Sequence, residues 1–310
     1  MKLDFAAERL PLNDPAPLRP GVSGETHRLT DVVLCAPSNL ATVPCCSVTR
    51  ESIRNGFSVS MAQAMAQHSA LARTLSQRGV RCHIVPAHPD LADQCFTRDV
   101  AVTTPWGLVG LNPALSHRRS EVDQMFAALA RHGVQPYDRV ASGTIEGGDV
   151  CIARPGLLIL GMSGERTTAE GAAAFAAPFE KDGWQVLRYA FDPHFLHLDT
   201  MFCMLDPNRA LACVDVLDDW FIKAVTAQGI ELIPVSYKAS RRLGCNILSL
   251  DGKTILMSSA PADESSWGRR SVADEVRNAG FDVVELDISQ FAACGGGIHC
   301  LTMPLRREAS

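Results

Sequence analysis

The chain has 310 residues, 46% hydrophobic and 20% charged, with a formal net charge of -5. That length can bury a sizeable core, as one large domain or two ordinary ones. The charge argues against a nucleic-acid partner. No apolar run of about 20 residues is present, which argues against a membrane span, and Met1 to Pro20 lack an apolar signal core. The 11 cysteines are irregularly spaced, form no Cys-x-x-Cys, and include the adjacent pair Cys45-Cys46. Free thiols in a reducing, cytoplasmic setting are therefore expected.

Residues 1–28 are rich in proline and polar residues and read as an irregular N-terminal extension; residues 29–310 are expected to form a single catalytic domain. Asp31 to Ala36 reads as a short buried strand stopped by Pro37. Residues 38–56 show no period and read as a loop. Met61, Met65, His68, Leu71 and Leu75 then share one helical face, closed by Gly79. Val80–Pro86 follows as a strand. Val122, Met125, Phe126 and Leu129 make a second stripe, closed by Gly133. A third helix spans Thr168 to Asp182, with Pro178 expected to kink or shorten it, and ends at Gly183. A fourth carries Leu217, Trp220, Phe221, Ala224 and Val225 up to Gly229. A fifth carries Val272 and Val276 up to Gly280.

The closing glycines 79, 133, 183, 229 and 280 are separated by 54, 50, 46 and 51 residues. A period near 50 marks a repeat. Between the helices lie paired strand signals, such as Asp149–Ala153 with Leu157–Gly161 across Arg154-Pro155-Gly156. Five units of helix, strand and hairpin imply a closed ring, with helices outside and short mixed strands inside. The first strand would latch the ring. Two unrelated α/β domains are the alternative.

Each unit carries a polar or glycine-rich signature 13 to 20 residues after its closing glycine. These signatures converge Asp99, Glu146, His197, Asp199, Asn246 and Cys300 on one central pocket. Cysteine plus histidine supplies a nucleophile and an acid/base, and a carboxylate beside the histidine orients it. Several carboxylates in one pocket call for a cationic ligand, and a planar guanidinium matches them best.

Four motifs carry a family resemblance: Phe96-Thr97-Arg98-Asp99, Glu146-Gly147-Gly148-Asp149, His197-Leu198-Asp199-Thr200 and Gly296-Gly297-Ile298-His299-Cys300. In this order they resemble the guanidino-modifying superfamily of arginine deiminases, dimethylarginine dimethylaminohydrolases, agmatine deiminases and amidinotransferases. The resemblance implies the five-fold pseudosymmetric α/β propeller, or pentein fold. It implies Cys300 as nucleophile, His197 as acid/base, Glu146 orienting His197, and Asp99 and Asp199 as the guanidinium clamp, with Asn246 in the same pocket. It further implies that Arg118 (or its neighbour Arg119) and Arg166 hold a substrate carboxylate. The expected reaction is hydrolysis of a guanidino C–N bond in an arginine-like small molecule through a covalent thiouronium, needing no metal or organic cofactor. Amidino transfer to an amine is the competing reaction, and a non-catalytic pentein binding factor the remote one. A zinc site from Cys294, His299, Cys300 and His197 is the metal alternative; its spacing fits no structural zinc site. His299 is expected to point away from Cys300, on strand periodicity. Asp199, where the familiar dimethylarginine hydrolases have lysine, favours arginine or a less substituted guanidine. A homodimer is compatible with this reading.

Overall fold

A computed structural model describes residues 18–259 and 271–309. In chain order the elements are β1 (Arg28–Cys35), α1 (Ser47–Arg54), α2 (Met61–Gln77), β2 (Arg81–Val85), β3 (Ala101–Thr104), β4 (Gly107–Gly110), α3 (Arg119–Ala130), β5 (Asp138–Arg139), β6 (Val150–Arg154) and β7 (Leu157–Met162). They continue with α4 (Ala169–Lys181), β8 (Gln185–Ala190), β9 (Phe202–Asp206), β10 (Arg209–Ala212), α5 (Asp219–Ala227), β11 (Glu231–Pro234), α6 (Tyr237–Ser240), β12 (Leu248–Ser249) and β13 (Thr254–Ser258). The last are α7 (Val272–Asn278), β14 (Asp282–Leu286), α8 (Ser289–Ala293) and β15 (Met303–Glu308).

The strands form five three-stranded sheets, β3-β4-β5, β6-β7-β8, β9-β10-β11, β12-β13-β14 and β15-β1-β2. In four of them an antiparallel hairpin is followed by a helix and a strand that returns parallel to the hairpin's second strand. The fifth has the same geometry from two distant parts of the chain. There β1 pairs antiparallel with β15 and parallel with β2. This is the five-bladed α/β propeller the period implies, latched by its first strand. The strand after each helix completes the sheet of the preceding hairpin, so the blade runs hairpin, helix, strand.

The five closing glycines all adopt left-handed φ, from 75° to 92°. That conformation costs glycine little and other residues more, and it ends each helix where the chain must turn back. Most of the stripe residues face inward, but Trp220, expected on the fourth stripe, is 51% exposed. Val122, Met125, Phe126 and Leu129 of α3 are buried, as are Leu71 and Leu75 of α2. Each such side chain contributes about 1.5–3 kcal/mol through burial. Pro178 does not end α4, which runs on to Lys181.

Two expectations need correction. Residues 38–56 are not all loop: α1 occupies Ser47–Arg54. Its cap is Cys46, whose sulfur accepts from the Thr49 backbone while Thr49 accepts from the Cys46 backbone. Cysteine is not among the usual N-cap residues, so the start of this helix carries no sequence signal. The extension is also shorter than 1–28. Gly21 bridges to Arg306, and Glu25 and Thr26 are buried. From Gly21 the chain is part of the propeller; residues 1–17 lie outside the described residues.

Candidate active site

A tight turn precedes the inner strand of each of three blades: Thr97–Val100, Gly147–Asp149 and Leu198–Thr200. The fifth blade has a comparable turn, closed by the Leu301 N–H donating to the Gly297 carbonyl at 3.0 Å. These turns put Asp99, Glu146, His197, Asp199 and Cys300 around the axis, all buried, and Asn246 joins them from the fourth blade.

His197 Nε2 lies 2.7 Å from Glu146 Oε2, and its Nδ1 lies 3.7 Å from Asp99 Oδ1. Across the pocket, Cys300 Sγ is 3.4 Å from Asp199 Oδ2 and 3.3 Å from Asn246 Nδ2. Glycines make this approach feasible. A Cβ on Gly148 would stand 2.6 Å from His197 Nδ1, and one on Gly297 2.3 Å from Asn246 Oδ1. Asp149, the last residue of its motif, accepts the Leu198 N–H at 2.8 Å and so braces the His197 turn.

Of the buried polar atoms without a hydrogen-bond partner among the described residues, three belong to the residues around Cys300: Asp99 Oδ1, Asp199 Oδ1 and His197 Nδ1. Buried polar groups are rarely left so. They share the site with the Cys300 thiol, and a cavity of about 20 Å³ touches Cys45, Cys46, Asp99, Arg166, His197 and Cys300. The two carboxylate acceptors form a cradle for a cation that carries several N–H donors, with His197 Nδ1 beside it.

The electrostatics agree. Burial opposes a charge on His197, but Asp99, the Glu146 hydrogen bond and Asp149 outweigh it and push its pKa up to about 10. Glu146 is held well below the usual carboxylate range: burial works against this, and His197 and Arg166 overcome it. Burial, then Asp199 and Asp99, push the Cys300 thiol well up. These shifts favour a histidine cation beside a neutral thiol.

His197 yields a pH prediction. Its folded pKa lies above the ordinary value of 6.5. The proton therefore contributes stability that is complete below pH 6.5 and lost as the pH rises through about 10. The urea midpoint of the native chain is expected to fall between pH 7 and 10. In His197→Asn the decline is expected to be visibly shallower, because the other ionising groups remain. Equal slopes in the two proteins would refute the assignment.

Arg118, which the resemblance implies for a substrate carboxylate, is held by two acids of the protein. Its Nη1 donates to Asp99 Oδ2 at 2.6 Å, its Nε and Nη2 to Glu121, and Nη2 also to the carbonyls of Asp93 and Phe96. The donors of this fork are engaged by the protein, while Arg118 lines the same cavity as Arg166, His197 and Cys300. Arg119 is exposed, its Nε on the Pro113 carbonyl. Arg166 donates to Glu146 Oε2 at 3.0 Å and to the Cys45 carbonyl at 2.9 Å.

His299 occupies a turn rather than a strand, and its ring lies behind Asp199. Nδ1 is 2.8 Å from Asp199 Oδ2 and Nε2 is 3.0 Å from Glu25 Oε1. With both nitrogens so engaged, the Cys/His zinc set loses that histidine. Asp99, Glu146 and His197 do bring ligand atoms within 4.8 Å of one another. To ligate an ion there, His197 would have to give up its proton, since metal binding needs the neutral ring.

The profile of the family described as N,N dimethylarginine dimethylhydrolase, eukaryotic, matches residues 47–307. The chain belongs to this family. Among relatives of this hydrolase, the N(G),N(G)-dimethylarginine dimethylaminohydrolase of Pseudomonas aeruginosa is 26% identical over 245 residues, 78% of this chain and 88% of its own. The uncharacterized protein YkgA of Bacillus subtilis is 28% identical over 290 residues, 91% and 94% of the two chains. An arginine deiminase of Mycoplasma capricolum is 29% identical over 203 residues, 53% and 47%. The fold is shared with the N-terminal domain of ArgZ, a cyanobacterial arginine dihydrolase solved with bound substrate, at TM-score 0.77 and 20% identity over 89% of this chain and 98% of that one. A dimethylarginine dimethylaminohydrolase adduct matches at TM-score 0.68 and 21% identity, covering 89% and 99%. The chain is a guanidino-modifying enzyme of the pentein superfamily, a hydrolase acting on guanidino C–N bonds of arginine-type substrates. No helix among the described residues is long and apolar enough to cross a membrane.

Proposed function

We propose that this enzyme hydrolyses the terminal guanidino C–N bond of arginine, or of an arginine bearing few N-substituents, to citrulline and ammonia or an amine. The observation that carries this is the set of unpartnered buried atoms, Asp99 Oδ1, Asp199 Oδ1 and His197 Nδ1, around the Cys300 thiol. An unsubstituted guanidinium offers N–H donors to both carboxylates. Methyl groups on one nitrogen would leave a clamp oxygen unsatisfied, at a cost of about 1–3 kcal/mol.

The bound guanidinium neutralises the two carboxylates that hold the Cys300 thiol up. The thiol then releases its proton to solvent water, and the thiolate adds to the guanidinium carbon. The same cation repels the proton on His197, which passes from Nδ1 to the departing nitrogen. Ammonia or an amine leaves, and a thiouronium on Cys300 remains. His197, now neutral, takes a proton from water as the oxygen attacks the same carbon. Collapse breaks the C–S bond, the hydroxyl proton passes to the departing sulfur, and the ureido product leaves with the Cys300 thiol and the His197 cation restored. Arg166 is the better candidate for a substrate carboxylate: one of its partners is a loop carbonyl, which a carboxylate can replace, whereas Arg118 is tied to two acids.

The test is a panel of arginine, monomethylated and dimethylated arginines, agmatine and guanidino acids, scored for ureido product and released amine. Arginine or a monomethylarginine is expected to give the highest kcat/KM. Amidine transfer to added glycine or ornithine, in place of hydrolysis, would make the chain an amidinotransferase instead.

A further inference from the structure

The chemistry above uses neither Glu25 nor His299, yet both are buried directly behind Asp199. Glu25 comes from the N-terminal segment, anchored by its N–H on the Ile152 carbonyl at 2.7 Å. Each ring nitrogen of His299 faces a carboxylate oxygen, Asp199 on one side and Glu25 on the other. A neutral imidazole has one N–H and could satisfy only one of them; the doubly protonated ring satisfies both. Arg98 holds the far end. Its Nη1 is 3.0 Å from Glu25 Oε1, its Nε donates to the Thr302 carbonyl at 3.0 Å, and its backbone N–H to the Cys300 carbonyl at 3.1 Å. The row Arg98, Glu25, His299, Asp199 is continuous and ends 3.4 Å from the Cys300 sulfur. Buried charges are costly unless paired, and burial alone would raise the Glu25 pKa, but Arg98 and His299 bring it down to about 2.

We propose that Glu25 is a positioning residue that keeps His299 doubly protonated, and that the His299 cation fixes Asp199 for the guanidinium and favours the Cys300 thiolate. The proposal rests on the roles given above to Cys300 and Asp199. The groups facing Cys300 are Asp199, Asp99 and Asn246; those facing Glu25 are Arg98, His299 and Arg307.

The sign of one shift decides between two modes of action. Glu25→Gln keeps the shape and removes a negative charge. Acting only through its field, that loss would ease ionisation of Cys300. Acting through His299, it costs the ring a proton and makes ionisation harder. The experiment follows alkylation of the full chain by iodoacetamide against pH, with the Cys300 peptide quantified by mass spectrometry. The midpoint for Cys300 is expected to rise by about one pH unit in Glu25→Gln, and KM for the best guanidine by about tenfold, more than kcat changes. His299→Gln is expected to do the same, and the double variant no more than either. A midpoint that falls or stays put overturns the proposal. Should Glu25→Gln fold poorly, the midpoint in His299→Gln, which leaves Glu25 paired with Arg98, decides in the same way. Because alkylation needs no substrate, a native chain inert toward every guanidine would sink the proposed reaction while leaving this link to stand or fall on the midpoints.

Discussion

Cys300→Ser is expected to lower turnover of any guanidine by about a thousandfold or more while the fold survives. The sulfur touches Asn246 Nδ2 and Asp199 Oδ2 and is otherwise enclosed, so the smaller hydroxyl fits without displacing a neighbour. A hydroxyl beside two carboxylates has no base to ionise it. His197 is occupied on its Nε2 by Glu146, and its Nδ1 faces Asp99. The measurement is ureido product per enzyme at saturating substrate, beside an unfolding curve for each protein. A parallel search by intact mass for the covalent intermediate should find it in the native chain and not in the variant. Turnover within tenfold of native would remove Cys300 as nucleophile, and another of the 11 cysteines would have to be sought.

Arg118→Ala is expected to cost about 3–5 kcal/mol of stability, because it strands two buried acids. Asp99 and Glu121 both rest on this guanidinium, at 2.6 and 2.8 Å. Glu121 is already pushed upward by burial, with Arg118 opposing that rise. The check is urea unfolding at pH 7, read as a shift in midpoint at constant slope. Were Arg118 instead a carboxylate-binding residue, the variant would keep its midpoint and show only a raised KM. The two roles thus separate on one pair of curves.

Much of this was legible in the sequence, for a physical reason. The propeller puts its chemistry in turns between a helix stop and a hairpin, and such turns need glycine at fixed places. Gly79, Gly133, Gly183, Gly229 and Gly280 announce the period, while Gly147, Gly148, Gly296 and Gly297 mark where backbone and side chain crowd the axis. What did not show was which buried charges are allied. Arg118 lies 19 positions from Asp99 and three from Glu121, and nothing in that spacing says that both acids fold inward onto it. Glu25 stands in a segment without helical or strand period, and only the closed ring brings it under His299. The two-residue strand β5 was likewise too short to carry a pattern.

The latch between β1 and β15 bears on how the molecule comes into being. Arg28 pairs with Glu308, so the sheet that closes the ring joins residues 280 positions apart. Contacts so far apart in sequence are slow to form. Four blades can assemble from neighbouring stretches as the chain emerges from the ribosome, but the fifth waits until β15 is made. The Cys300 turn lies just before that strand, and Glu25 just before β1. Cys300 and Glu25 therefore come together only once this last sheet can form.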